Sequence, residues 1–265
     1  MIRENKAKRK LMSGGIALGT FMAFTDPAIM EVLGRVGFDF SVLDDEHSHY
    51  DKSQLSAMML AAEVRDNDIA PLVRIREGSV GAIKNALDMG ALGIQVPMVD
   101  TYEQAKAIIE AAYYPPIGRR GLGSANHSAG YGFYNERMDY IRLANSEVLN
   151  VLQCESIESV NNLDAILSVP GVEVVFVGAT DLACSMGVDV LADRRHPELL
   201  KTIDRAIKMI VDSGKVAGAP AMGAEEAKRL IDMGVRYLCI GSDLGYMRSA
   251  ATASLKLYRD IVDKN

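Results

Sequence analysis

Eight short apolar runs, spaced along the whole chain and separated by stretches of helical period, constrain this sequence more than any other feature. They are "GIALGTFMAF" from Gly15, "FDFSVLD" from Phe38, "IAPLVRI" from Ile69 and "LGIQVPM" from Leu92. The other four are "VLNVLQC" from Val148, "VEVVFVG" from Val172, "KVAGAP" from Lys215 and "RYLCIG" from Arg236. Near-continuous apolar runs, as opposed to strict alternation, mark strands covered on both faces. The segments between them supply the helices that would do the covering. "DPAIMEVLGRVG" opens with Asp26 as N-cap and Pro27 at the first helical position, and closes on Gly37. "VGAIKNALDMG" closes on Gly90 and "GAEEAKRLIDMG" on Gly234. Eight such βα units in 265 residues predict a (β/α)8 TIM barrel, one domain spanning 1–265 with little chain left over. A doubly wound open sheet is the alternative. It usually carries a Gly-rich nucleotide turn after its first strand, and "GTFMAFTDP" has none.

Composition narrows the partners. The formal net charge is −6, with Lys and Arg scattered rather than gathered on one face, which argues against nucleic acid. No apolar run approaches the roughly 20 residues of a membrane span. The basic start, "MIRENKAKRKLMSGG", has no apolar signal core behind it and reads as a solvated first helix. Cys154, Cys184 and Cys239 are far apart and odd in number, as expected of buried free thiols in a reducing cytoplasm. One segment breaks the rhythm: between strands four and five, at about 114–135, lies "YYPPIGRRGLGSANHSAGYGFY". A stretch so long without periodicity is usually functional or disordered, and its aromatics and "RRG" favour function, as a loop over the barrel mouth.

In a barrel of this kind the active site gathers at the C-terminal ends of the strands. Strand two runs into Asp44, Asp45, Glu46 and His47; strand three ends in Arg74 and Arg76. Strand five ends in Gln153 and Glu155, which share a face because they are two apart. Strand six runs into "GATDL", with Asp181 just past it. Glu155 and Asp181 are hard oxygen donors on neighbouring strands and could share one divalent cation. There is no Cys/His zinc spacing, so Mg2+, Mn2+ or a similar ion is favoured. His47 titrates nearest neutrality and is the natural proton carrier. Arg74 keeps its charge and can stabilise an oxyanion. The plainer alternatives are that Glu155 and Asp181 cap helices, that Arg74 pairs with Glu77, and that His49, His127 and His196 are surface or loop residues. Strand six carries no Lys, and Lys84 and Lys106 fall inside helices, so no lysine is placed for a Schiff base.

The motifs "LDDEH", "LVRI", "VPMV", "YPPIGRRGLGS", "VLQCES", "FVGATDLACSMG" and "IGSDLGYMRSA", in that order over nearly the whole chain, resemble the HpcH/HpaI family. These are the metal-dependent (class II) pyruvate aldolases, among them the 2-dehydro-3-deoxyglucarate and other 2-keto-3-deoxy acid aldolases. The resemblance implies a (β/α)8 barrel whose last helix is exchanged between subunits, in a hexamer built as a trimer of dimers. It implies Glu155 and Asp181 as ligands of Mg2+, Mn2+ or Co2+, with no nucleotide and no PLP. It makes His47 the base, Arg74 the charge-stabilising group and Asp44, with Glu46, a helper in proton transfer. Asp88 in "LDMG" matches a carboxylate contributed across the subunit interface. Gln153 and the backbone of Gly178, Ala179 and Thr180 match the cradle for pyruvate.

Two departures stand out. Ala179 replaces a Pro common in the family, and the loop after "RGLGSA" has "NHSAGYG" in place of an Arg. If that Arg grips the aldehyde, the acceptor used here differs. The expected reaction is cleavage or formation of a 2-keto-4-hydroxy acid, giving pyruvate and an aldehyde through a metal-stabilised enolate. The alternatives are a related enzyme drawing its enolate from oxaloacetate, citrate-forming or decarboxylating, and a barrel that binds small acids without catalysis.

Overall fold

Capping residues mark where several of the covering segments start. The Asp26 side chain accepts from the Ala28 N–H ahead of a proline, and Gly37 ends that helix at φ +103°, where a side chain would be strained. In the computed structural model, which describes residues 3–64, 66–134, 136–189 and 196–263, the expected rhythm is present in full. The first half contains α1 (Lys6–Met12), β1 (Ala17–Met22), α2 (Pro27–Val36), β2 (Phe40–Asp44), α3 (Lys52–Ala61), β3 (Ala70–Arg74), α4 (Val80–Asp88), β4 (Gly93–Val96) and α5 (Tyr102–Ala112). Then follow α6 (Arg137–Glu147), β5 (Leu149–Cys154), α7 (Ile157–Asn161), α8 (Leu163–Leu167), β6 (Val174–Val177) and α9 (Ala179–Ser185). The chain ends with α10 (Pro197–Asp212), β7 (Val216–Pro220), α11 (Ala224–Asp232), β8 (Val235–Ser242) and α12 (Asp243–Val262).

Each strand but β8 falls within its expected run, and β8 extends one residue past its run at both ends. The strands pair in sequence order, all parallel, and β8 closes back on β1. Closure leaves no strand edge and puts every strand's C-terminal end on one rim. No helix among the described residues is long and apolar enough to cross a membrane.

Three expectations need correcting. The first helix is not simply solvated: Ala7, Lys8 and Leu11 are buried as α1 packs beneath the barrel. Lys8 is only 7 % exposed, its charge met by the Val148 carbonyl at 2.7 Å and Glu173 at 2.9 Å. Of the three free thiols, Cys184 is exposed; only Cys154 and Cys239 are buried. The long loop does not cover the mouth of its own barrel. It follows α5, not β4, and a helix returns the chain to the N-terminal end of the strands. There Arg120 reaches Asp88 at the end of α4 (2.7 Å) and His127 reaches Glu63 beyond α3 (3.1 Å).

Candidate active site

At the rim, β2 and β3 end side by side, with Asp44 and Arg74 as register partners. Arg74 donates from Nε to Asp44 Oδ1 at 2.9 Å and meets Oδ2 through Nη2 at 2.8 Å, a bidentate pair. Asp44, rather than Glu77, is thus its bidentate partner. The guanidinium lies over the Phe21 ring, 4.9 Å from its centre. Burial works against the arginine's charge, but Asp44, Glu46 and Glu155 outweigh it and hold the group above its ordinary value. Asp44 Oδ1 also accepts the His47 backbone N–H at 3.2 Å.

Glu46 stands 3.3 Å from Arg74 Nε, but that N–H is committed to Asp44. Glu46 Oε2 is therefore buried without a hydrogen bond among the described residues. Loss of solvent raises the Glu46 pKa; Arg74 and His47 pull it down, and Asp44 and Asp181 push it up. The His47 imidazole is 3.7 Å from the same oxygen and 61 % exposed, so it faces the solvent side of the mouth.

From β5, the buried Glu155 carboxylate accepts the Met98 N–H at 2.8 Å and Gln153 Nε2 at 2.6 Å. Met98 holds φ +51°, a conformation uncommon outside glycine. Its loop is tied down where Ser156 Oγ donates to Asp100 at 2.5 Å and Asn162 Nδ2 to the Asp100 carbonyl at 2.8 Å. Opposite, Gly178 follows β6, and glycine is needed there: a Cβ would fall 2.6 Å from Glu155 Oε2. Asp181 sits in the first turn of α9, whose N-cap is Gly178, so the reading of Asp181 as a helix cap is not what forms. Its carboxylate makes no hydrogen bond or ion pair among the described residues. Burial is the main reason the Glu155 pKa is raised; Asp181 and Glu46 push it further, while Met98 and Gln153 oppose.

Glu155, Asp181 and Glu46 gather acidic charge at the rim that Arg74, shared with Asp44, offsets only in part. A doubly charged cation with oxygen ligands fits it. No group of three or more His, Cys, Asp or Glu side chains among the described residues could ligate an ion by itself. Two carboxylates with water and substrate is the arrangement the residues allow.

The structure brings Asp44, Glu46, His47, Arg74, Gln153, Glu155, Asp181 and the Gly178–Thr180 backbone to one rim. Asp88 is the exception. It ends α4 at the opposite face, paired with Arg120, and its carbonyl accepts the Ser128 N–H at 3.3 Å. Sequence reasoning missed Phe21, the Met98 N–H and Gln95, whose Nε2 donates to Gln153 Oε1. Only Gln95 left a signal, a lone amide inside the apolar "GIQVP". A groove of about 730 Å3 lies outside the mouth, between α3 and α4, walled by Tyr50, Leu55, Arg76 and Met89. Of the acidic run, only Asp45 reaches it.

Residues 17–250 match the family described as HpcH/HpaI aldolase/citrate lyase. The chain is 36 % identical over 244 residues to a hydroxypyruvate/pyruvate aldolase of Roseobacter denitrificans, covering 92 % of this chain and 93 % of that one. It is 35 % identical over 246 residues to a 5-keto-4-deoxy-D-glucarate aldolase of Escherichia coli O157:H7, covering 93 % of each. Among solved structures, the citrate synthase SbnG superposes with a TM-score of 0.88 at 28 % identity, covering 98 % of this chain and 100 % of that one.

Proposed function

Because the chain belongs to the HpcH/HpaI aldolase/citrate lyase family and is a carbon–carbon lyase, we propose that it cleaves and forms 2-keto-4-hydroxy acids, with pyruvate and an aldehyde as the other partners. The carrying observation is the pair Glu155 and Asp181, with Glu46 close by, beside an arginine fixed on Asp44. Glu155 and Asp181 would hold a divalent cation, Mg2+, Mn2+ or Co2+, which supplies positive charge to the keto oxygen as that oxygen turns negative.

The chain's own groups do the rest. Arg74 cannot swing, because two of its nitrogens are spent on Asp44 and its face lies on Phe21; its remaining edge offers a preset donor to the developing oxyanion. Gln153 Nε2 and the first-turn N–H groups at Ala179 and Thr180 receive the keto acid's carboxylate. In cleavage, His47 takes the proton of the 4-hydroxyl, directly or through water. The C3–C4 electrons pass to C3, the aldehyde departs, and the enolate regains a proton at C3. Glu46 is suited to help, since its raised pKa keeps it closer to neutrality than a free carboxylate. Asp44 serves this relay indirectly, by aligning Arg74 and the His47 backbone.

The assembly belongs to the same proposal. Leu18 of β1 is 38 % exposed on the outside of the barrel, and Val32 and Val36 of α2 and Ile231 of α11 are exposed as well. Meanwhile Leu244, Met247, Leu255, Tyr258 and Val262 lie exposed on one face of α12. Exchange of α12 between copies covers both surfaces. It also gives Asp88, remote from its own mouth, a route to a neighbour's, in a hexamer arranged as a trimer of dimers.

Exchange of pyruvate methyl protons with deuterated solvent tests the chemistry without knowledge of the aldehyde. It should proceed with Mn2+ and stop in EDTA; exchange that survives EDTA would refute the cation's role. The likeness to a citrate synthase supports a second reading in which oxaloacetate supplies the enolate, and an aldehyde panel run with each donor and read by product mass separates the two.

A further inference from the structure

Beneath the mouth, four polar side chains run in one line across the barrel interior. The Tyr237 hydroxyl donates to Gln95 Oε1 at 3.1 Å. Gln95 Nε2 donates to Gln153 Oε1 at 2.5 Å, and Gln153 Nε2 to Glu155 Oε2 at 2.6 Å. All four residues are buried, Tyr237 and Gln95 completely. Each donor faces the next acceptor, so the line has one direction and ends on a carboxylate.

The two ends of an amide have nearly the same shape, and only partners decide which way it points. Turned over, Gln153 would set its carbonyl oxygen against Glu155 Oε2 and leave a buried acceptor facing negative charge. Gln95 prevents this by occupying Gln153 Oε1, and Tyr237 orients Gln95 in the same way. The phenol is itself immobilised. Its ring stacks on Phe40 at 4.1 Å with 19° between planes and meets Phe176 edge-on at 6.0 Å. Two glycines make room for that stack: a Cβ on Gly19 would fall 2.1 Å from the Phe40 ring, and one on Gly218 2.9 Å from Tyr237. With its carbonyl committed, Gln153 can offer the mouth only N–H.

We propose that Tyr237 and Gln95 are positioning residues for the cation site: acting through Gln153, they hold the Glu155 carboxylate in the orientation that receives a divalent ion. The proposal rests on Glu155 and Asp181 being that ion's ligands. Hydrogen-bonded networks of this kind act as units, so removing one member is felt along the line.

The test is a Mn2+ titration, followed by electron paramagnetic resonance, of the full chain and of Tyr237→Phe, Gln95→Met and the double variant. Tyr237→Phe keeps the ring stack and removes one oxygen atom. Each single variant should weaken Mn2+ binding roughly three- to tenfold, less than the tenfold to hundredfold typical of groups bonded directly to a metal ligand. The double variant should bind no more weakly than Gln95→Met alone, because both changes break the same line. A Tyr237→Phe chain that melts at a lower temperature yet binds Mn2+ within twofold of the parent overturns the proposal, as does additivity in the double variant. Should Gln95→Met fail to fold, Tyr237→Phe decides alone. A parent chain that binds no Mn2+ overturns the reading of the site, and the relay's role with it.

Discussion

Replacing Asp181 by Asn separates a ligand from a structural residue. Among the described residues the Asp181 carboxylate has no hydrogen bond or ion pair to lose, and its charge pushes up the Glu155 and Glu46 pKa values. Without cation, the variant should therefore be as stable as the parent to within about 0.5 kcal/mol, the usual range for a surface change, or slightly more stable. With cation the two should part. At a Mn2+ concentration 100 times its Kd, linkage adds about 2.7 kcal/mol to the parent. For a chain of this size, at about 2–4 °C per kcal/mol, that is a rise in Tm of about 5–10 °C. Asp181→Asn, with one of its two carboxylate ligands gone, should rise by less than about 1 °C at the same Mn2+ and protomer concentrations. Differential scanning calorimetry reads both. An undiminished rise in the variant would refute ligation by Asp181, and a cation-free Tm well below the parent's would show that its carboxylate has structural work after all.

Four other expectations follow from the same geometry. Glu155 and Glu46 have pKa values raised above the ordinary 4.5, so their stabilising contribution is complete below that value and is lost as pH rises through the raised ones. Cation-free Tm should fall across that window while Mn2+ affinity climbs, since protons and the ion compete for the same carboxylates; calorimetry and Mn2+ titration at stepped pH would show it, and a flat affinity would count against the site. Gly178→Ala should push Glu155 aside and weaken Mn2+ binding at least tenfold, with about 1–3 kcal/mol lost to overpacking. Arg74→Lys cannot keep both contacts to Asp44 and should slow pyruvate proton exchange about 100- to 1,000-fold in a folded chain; near-parental exchange would place the oxyanion elsewhere. Leu255→Glu with Tyr258→Glu should yield a smaller particle in sedimentation if α12 packs on another copy, and an unchanged one if it does not.

The amino-acid sequence alone determined the eight strands, because strand burial and helix capping are written within a few neighbouring residues: Asp26 before Pro27, or Gly37 after a helix, acts locally. The strand count then carried much of the candidate site with it. A closed parallel barrel must put all its strand ends on one rim, so Glu46, Arg74, Glu155 and Asp181 could be gathered there without knowing a single distance. Tertiary structure decided everything that depends on which distant group fills a partner's valence. Lys8 reads as a solvated charge until the Val148 carbonyl, 140 residues on, and Glu173 meet it beneath the barrel. Gln95 is an isolated amide until Tyr237, 142 residues away, orients it. The loop at about 114–135 looks like a lid until its attachment to α5 sends it to the far end with Asp88. Periodicity records which face of an element is buried; a hydrogen bond or ion pair is set only when closure of the barrel brings its two ends together.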